Sequence, residues 1–176
     1  MSTVDLIILG ILMKQPMNAY EMKKTLEYRN VKAWTKLSYP AVYKNLVKLS
    51  KAGYLDSETV RDGGMPEKTI YTINQKGRDY FLQLMKNASD NPGMVYIEFA
   101  SFAMYLGEVD KETGSEMIDH LQENINEKLD GIKAQMKIKG DAPEMARSII
   151  DLHIRMYEVF AEWITDFQAI YHKQKK

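Results

Sequence analysis

The sequence predicts a mainly α-helical protein in two parts, and three observations predict it. Apolar residues recur at spacings of three and four along most of the 176-residue chain, the period of helices with one buried face. Between the third and fourth helical patterns the period gives way to two strand-like runs around "DGGMP", a hairpin signature. The charge is also divided: residues 1–85 hold 13 Lys+Arg against 8 Asp+Glu and the remainder 11 against 16, although the formal net charge is +0. A basic half joined to an acidic half suits one part that meets an anionic partner and another with a different task.

The first helix is "STVDLIILGILMK", capped by Ser2 or Thr3, with Leu6, Ile7, Ile8, Leu9 and Met13 forming a broad apolar stripe and Pro16 closing it. In "NAYEMKKTLEYRN", Asn18 and Glu21 have capping-box spacing and open a second helix that frays by Asn30. Ser38 caps the third, where Pro40 is tolerated because a first-turn residue has no amide bond to lose. Val42, Leu46 and Leu49 face inward, Lys44, Lys48 and Lys51 fall elsewhere, and Gly53 supplies the left-handed position that ends the helix. The hairpin follows, and Asn74 caps a fourth helix, "QKGRDYFLQLMKN", whose Tyr80, Phe81 and Leu84 pack back. Three helices and two strands in this order describe a winged helix-turn-helix, expected over 1–88.

"SDNPG" at 89–93 is a turn cluster and the expected boundary of an all-α second domain, 89–176. Helices are expected over about 94–106, about 111–138 from Asp110, and about 142–173 from Asp141 with Pro143 in the first turn. The middle one carries Ile118, Leu121, Ile125, Leu129, Ile132 and Met136; the last carries Met145, Ile149, Leu152, Met156, Val159, Trp163, Phe167 and Ile170. Helices of about 30 residues are roughly 45 Å long, and a partner domain this small leaves much of such stripes uncovered. A second chain is the expected cover, which makes 89–176 a dimerisation domain.

In a helix-turn-helix the third helix presents side chains to a DNA major groove while its opposite face holds it on the scaffold. Ser38 and the first-turn amides suit a phosphate. Tyr39, Tyr43, Lys44, Asn45 and Lys48 are the outward candidates: tyrosines for phosphate or sugar, Asn45 for adenine, lysines for phosphate or guanine. Taken alone this helix also reads as an ordinary solvated face with Tyr43 partly in the core; the hairpin and the charge division favour DNA. Arg61 and Lys68 flank the hairpin tip and are expected at phosphate, against a second reading as strand-edge charges, while Asp62 and Glu67 argue against deep insertion.

The absence of cysteine excludes disulfides and thiolate metal sites and suits a reducing cytoplasm. No apolar run reaches membrane-spanning length and no basic leader is recognisable, so neither a membrane partner nor export is expected. His120, His153 and His172 lie apart, no H-E-x-x-H or glycine-rich phosphate loop occurs, and "RDGGMP" lacks the Lys-Ser/Thr that would follow one. No catalytic residue, metal or cofactor is expected, and the chain does not read as an enzyme. The 12 methionines read first as core filling. The sharper reading is an adaptable pocket for a small aromatic or apolar effector, with Trp34 and Trp163 as its candidate walls; Trp34 as a plug behind the third helix is the alternative.

Three stretches resemble the PadR family of bacterial transcriptional regulators. "LIILGILMKQPMNAYEMKKTL" is similar to its opening helix and (Gly/Ala)-Tyr-Glu second helix. "LSYPAVYKNLVKLSKAGYL" is similar to its Ser-x-x-x-(Ile/Val)-Tyr-x-x-Leu-x-x-Leu-x-x-x-Gly signature, and "KTIYTINQKGRDYF" to its wing strand and the Thr-x-x-Gly run after it. Ala19 replaces a usual glycine and Asn74 a common threonine, both compatible with a helix start. The tail matches in kind, with Trp163 in "FAEWITDF" similar to a Glu-x-x-Trp ending, and looks like the subgroup with a large helical dimerisation domain. The resemblance implies a homodimer on an inverted-repeat double-stranded DNA operator, usually as a repressor, released in some members by a phenolic or other small apolar compound. A competing function is a helical protein-interaction module whose winged domain no longer binds DNA. The absence of any acid between Ser38 and Leu55 speaks against it.

Overall fold

A computed structural model describes residues 2–61, 67–138 and 143–173. The chain divides into two compact units, Met1–Val95 and Tyr96–Lys176.

The first unit opens with helix α1, Thr3–Leu12, whose cap is Ser2: its Oγ accepts the Asp5 N–H at 3.2 Å. Helix α2, Ala19–Tyr28, has the expected reciprocal cap, with Asn18 Oδ1 accepting from Glu21 N–H at 3.0 Å and Glu21 Oε2 from Asn18 N–H at 2.9 Å. Ahead of it, Met17–Asn18 forms a short strand, β1, that periodicity over two residues cannot reveal. Helix α3 spans Tyr39–Lys51 from its Ser38 cap. It ends at Gly53, whose φ of +74° is left-handed, while Gly53 N–H reaches Ser50 O and Tyr54 N–H reaches Leu49 O, both at 2.9 Å. This pair of bonds satisfies the last carbonyls and turns the chain into the sheet.

Strands β2, Leu55–Val60, and β3, Lys68–Ile73, pair antiparallel from Leu55↔Ile73 to Val60↔Lys68, and β1 joins the other edge of β3 through Met17↔Tyr71. The expected hairpin tip, including Asp62, lies outside the described residues. Asn74 then caps helix α4, Gln75–Asp90, accepting from Gly77 N–H at 3.0 Å while donating to Gly53 O and Asp56 Oδ1. A Cβ at Gly77 would overlap the Tyr54 carbonyl, so only glycine lets α4 lie this close to the hairpin's start. Ile8, Leu9, Met22, Leu26, Leu46, Leu49, Tyr71 and Leu84 belong to one continuous core.

Two details at the end of this unit differ from expectation. Helix α4 continues through Ser89 and Asp90, the first two residues of the expected turn cluster, and stops at Asn91 before Pro92, which has no N–H to offer. The helix expected from about residue 94 begins only at Ala100. Met94, Val95 and Tyr96 are highly exposed, and without burial their aromatic and β-branched side chains do not sustain a helix.

The second unit comprises α5, Ala100–Tyr105, a 3-10 turn at Leu106–Glu108, α6, Lys111–Ile138, and α7, Glu144–Lys173. Asp110 caps α6, accepting from Thr113 N–H at 2.9 Å, and that bond holds its carboxyl below the usual range. The cap expected at Asp141 lies outside the described residues. Helices α6 and α7 run antiparallel, tied by Lys111 to His172 O, Gln168 to Asp119, Gln122 to Thr165 and Lys133 to Glu158.

Their seam contains Ile118 and Ile125 from the expected α6 stripe, but α7 buries Ile164 and Tyr171, with Tyr157, Phe160, Ala161, Trp163 and Phe167 packed beside them. Of the expected α7 stripe, Met145, Leu152, Val159 and Ile170 are more than half exposed. The expected stripe is thus divided: Trp163 and Phe167 pack beside the seam with α6, while Met145, Leu152, Val159 and Ile170 lie on a face that α6 does not cover. Among the described residues no helix is long and apolar enough to cross a membrane.

Candidate nucleic-acid interface

Helix α3 divides cleanly into two faces. Val42, Leu46 and Leu49 are buried against the rest of the first unit, while Tyr43, Lys44, Lys48 and Lys51 are exposed. Tyr43 is 61% exposed, which removes the reading of it as a core residue.

The start of α3 is more occupied than its sequence suggests. Ser38 Oγ accepts the Ala41 N–H at 3.3 Å and Pro40 has no N–H, so fewer first-turn donors face outward than the four of a bare helix end. Tyr39 is half-buried against the core, and its ring carries two ammonium groups, Lys32 Nζ at 3.8 Å and Lys23 Nζ at 5.3 Å from the centroid. Burial first, and then the charge of Glu27 and a hydrogen bond to it, push the Tyr39 phenol above its ordinary range. Asn45 is half-buried and donates from Nδ2 to Ala41 O at 2.9 Å. Bidentate pairing with adenine therefore requires this side chain to leave or share that bond.

Arg61 and Lys68 are exposed at the loop end of the hairpin, Arg61 after the last residue of β2 and Lys68 as the first of β3. Trp34 follows the 3-10 turn Val31–Ala33 and is 41% exposed. Val31 and Leu37 are the residues of this loop that join the core, so Trp34 is not the plug behind α3. Trp163 belongs to the second unit, stacked on Phe167 at 5.0 Å and tilted against Phe99 at 5.5 Å.

Sequence reasoning missed Lys23 and Lys32, which come from different elements and meet only around Tyr39. It also missed Asp5, 1% exposed beneath Lys48, which in sequence is an unremarkable acid at a helix start. The excess of basic residues in the first half was the only available sign of the two lysines.

The comparisons agree with this architecture. Residues 8–83 match the model of the transcriptional regulator PadR-like family. Among solved structures the chain is similar to Bacillus subtilis PadR in complex with operator DNA, at 17% identity and a TM-score of 0.80 over 97% of this chain and 98% of that one. It is also similar to the PadR-like transcriptional regulator BC1756 from Bacillus cereus, with 20% identity, a TM-score of 0.72, and 98% and 100% of the two chains covered. A third likeness is to Bacillus subtilis PadR in complex with p-coumaric acid, with 15% identity, a TM-score of 0.79, and 97% and 96% covered. At these identities the likeness is one of fold. No curated protein matches the sequence.

Proposed function

We propose, from the premise that residues 8–83 belong to the transcriptional regulator PadR-like family, that this chain is a dimeric repressor of transcription that binds an inverted-repeat operator. The observation that carries the reading is the outer face of α3. Tyr43, Lys44 and Lys48 are exposed on a helix whose other face is locked into the core, and no acid occurs from Ser38 to Leu55. A helix so held is a rigid reader for a major groove, and its lysines supply the phosphate neutralisation that dominates affinity. Arg61 and Lys68 stand where a wing would meet the adjoining backbone.

The dimer is assigned to the second unit. The face of α7 bearing Leu152, Val159 and Ile170 stays open in one chain, and a second copy covers it by symmetry. Two α3 helices then meet half-sites about one DNA turn apart. The effector, if the chain shares the chemistry of the Bacillus subtilis PadR complex with p-coumaric acid, is a planar aromatic acid. Trp34 offers an exposed indole to it in the first unit, and Trp163 an aromatic cluster in the second. A repressor of this kind works in the cytoplasm, where its operator is.

Selection of bound fragments from a random DNA pool tests the reading. The expected result is a palindrome with half-site centres about 10 base pairs, or a multiple of that, apart. Recovery of unrelated sequences, or of none, overturns it.

A further inference from the structure

Asp5 is a buried charge that neither catalysis nor base reading requires. It stands 1% exposed in the first turn of α1, where the positive helix end favours a carboxylate. Two other helices converge on it. Lys48 of α3 brings Nζ to 3.7 Å from Oδ2. Tyr80 of α4 has its phenol raised above the ordinary range, first by burial and then by the charge of Asp5 and a hydrogen bond to it. Oδ1 is buried without a hydrogen-bond partner. Such a group is a poor way to stabilise a fold, since a partly satisfied buried carboxylate is commonly inferior to an apolar residue of similar size.

Its effect is clearer on Lys48. That side chain is 64% exposed, so its ammonium lies at the surface with a carboxylate directly behind it. Lys44, four residues earlier on the same helix, has no ion pair among the described residues. The two lysines are therefore unequal as phosphate ligands. A phosphate approaching Lys44 meets a positive charge; one approaching Lys48 meets a pair whose net charge is zero, with the negative member shielded from water and salt.

We propose that Asp5 is an internal counter-charge for the recognition helix, which competes with DNA phosphate for Lys48 and holds operator affinity below what the helix's lysines would otherwise give. This inference rests on the DNA-binding reading above. An affinity moderated in this way favours release from the operator, which a repressor needs as much as capture.

A double-mutant cycle tests it, using full-length wild type, Asp5→Asn, Lys48→Ala and the double variant on the selected operator across a salt series. Asparagine keeps the size of Asp5 and a hydrogen bond to Tyr80; Asp5→Leu is the second variant, and circular dichroism and thermal melting establish that each is folded. The expected result is binding about 3- to 10-fold tighter for Asp5→Asn, with the slope of log affinity against log salt steeper by up to about one. That gain should vanish in the Lys48→Ala background. A folded Asp5 variant that binds equally or more weakly overturns the proposal, because Asp5 then steadies Lys48 or is indifferent to it; so does a gain that survives Lys48→Ala. A comparison that leaves Asp5 untouched stands beside the cycle: Lys44→Ala should lower the salt slope more than Lys48→Ala, and equal losses overturn the inequality. A wild-type protein that selects no DNA refutes the function itself, whereas a wild type that binds while the cycle shows no coupling refutes only the role of Asp5.

Discussion

The two units solve the problem of burying a core in opposite ways. In the first, three helices, a small sheet and α4 enclose one apolar core, and each of these elements contributes buried residues to it. The second has comparable length, yet among its described residues the core cluster holds Leu106 and the seam between α6 and α7, where Ile118, Ile125, Ile164 and Tyr171 meet. A pair of long helices has one contact line and no third layer. The first unit encloses its core with its own elements, whereas among the described residues of the second an apolar face of α7, bearing Leu152, Val159 and Ile170, stays in water. The contrast teaches that rigidity and assembly are housed separately in the proposed dimer: one unit fixes the orientation of α3, and the other offers the open apolar face that we propose a second copy covers.

The sharpest way to break this contrast is to separate the units. A fragment ending at Val95 should keep a cooperative melting transition, sediment as a monomer, and bind the operator about 100-fold or more weakly than the full chain, because two half-site contacts no longer act as one. A tight dimer of that fragment in analytical ultracentrifugation would move the assembly surface into the first unit. A smaller change probes the open face itself. Leu152→Glu alters a side chain exposed in the single chain, so helicity should be unchanged while self-association weakens at least about 10-fold, since a charge would have to be buried unpaired. Unchanged association would show that α7 meets its partner through another face, or not at all.

How much of this was legible in the sequence follows the same division. In the first unit each α-helix had a side-chain signal at its N-cap and each signal was used: Ser2, the Asn18–Glu21 pair, Ser38 and Asn74 all accept the amide bonds their types and positions imply. Gly53 likewise marked the end of α3 because few other residues adopt its backbone. Such cues are local, and a local rule reads them. In the second unit, periodicity found α6 and α7 but not their pairing, since the apolar residues of α7 outnumber the positions that one partner helix can cover. The α5 region failed for a related reason, as Met94–Ile97 is apolar in sequence but exposed in the fold.

At the interface, the outward positions of Tyr43, Lys44 and Lys48 followed from the placement of Val42, Leu46 and Leu49. Occupancy did not follow. That Asn45 is bonded to Ala41 O, that Tyr39 gathers Lys23 and Lys32, and that Asp5 stands behind Lys48 depend on contacts between side chains brought together by the turn of a helix or by folding. Their spacing in the chain carries no mark of them.

The central claim is that the outer face of α3 holds DNA, and the most direct test removes its charge while leaving its fold alone. Lys44→Ala/Lys48→Ala changes two exposed side chains and keeps the apolar residues of the buried face, and alanine favours the helix. Because Lys48 is also the ion-pair partner of buried Asp5, thermal melting accompanies the test to establish that the variant is folded. In a mobility shift at moderate salt the double variant should bind the selected operator about 10-fold or more weakly, and its salt slope should fall by between about one and two. Helicity and dimerisation should match wild type. Operator binding of unchanged strength and unchanged salt dependence would contradict the account and place the DNA on another surface of the molecule.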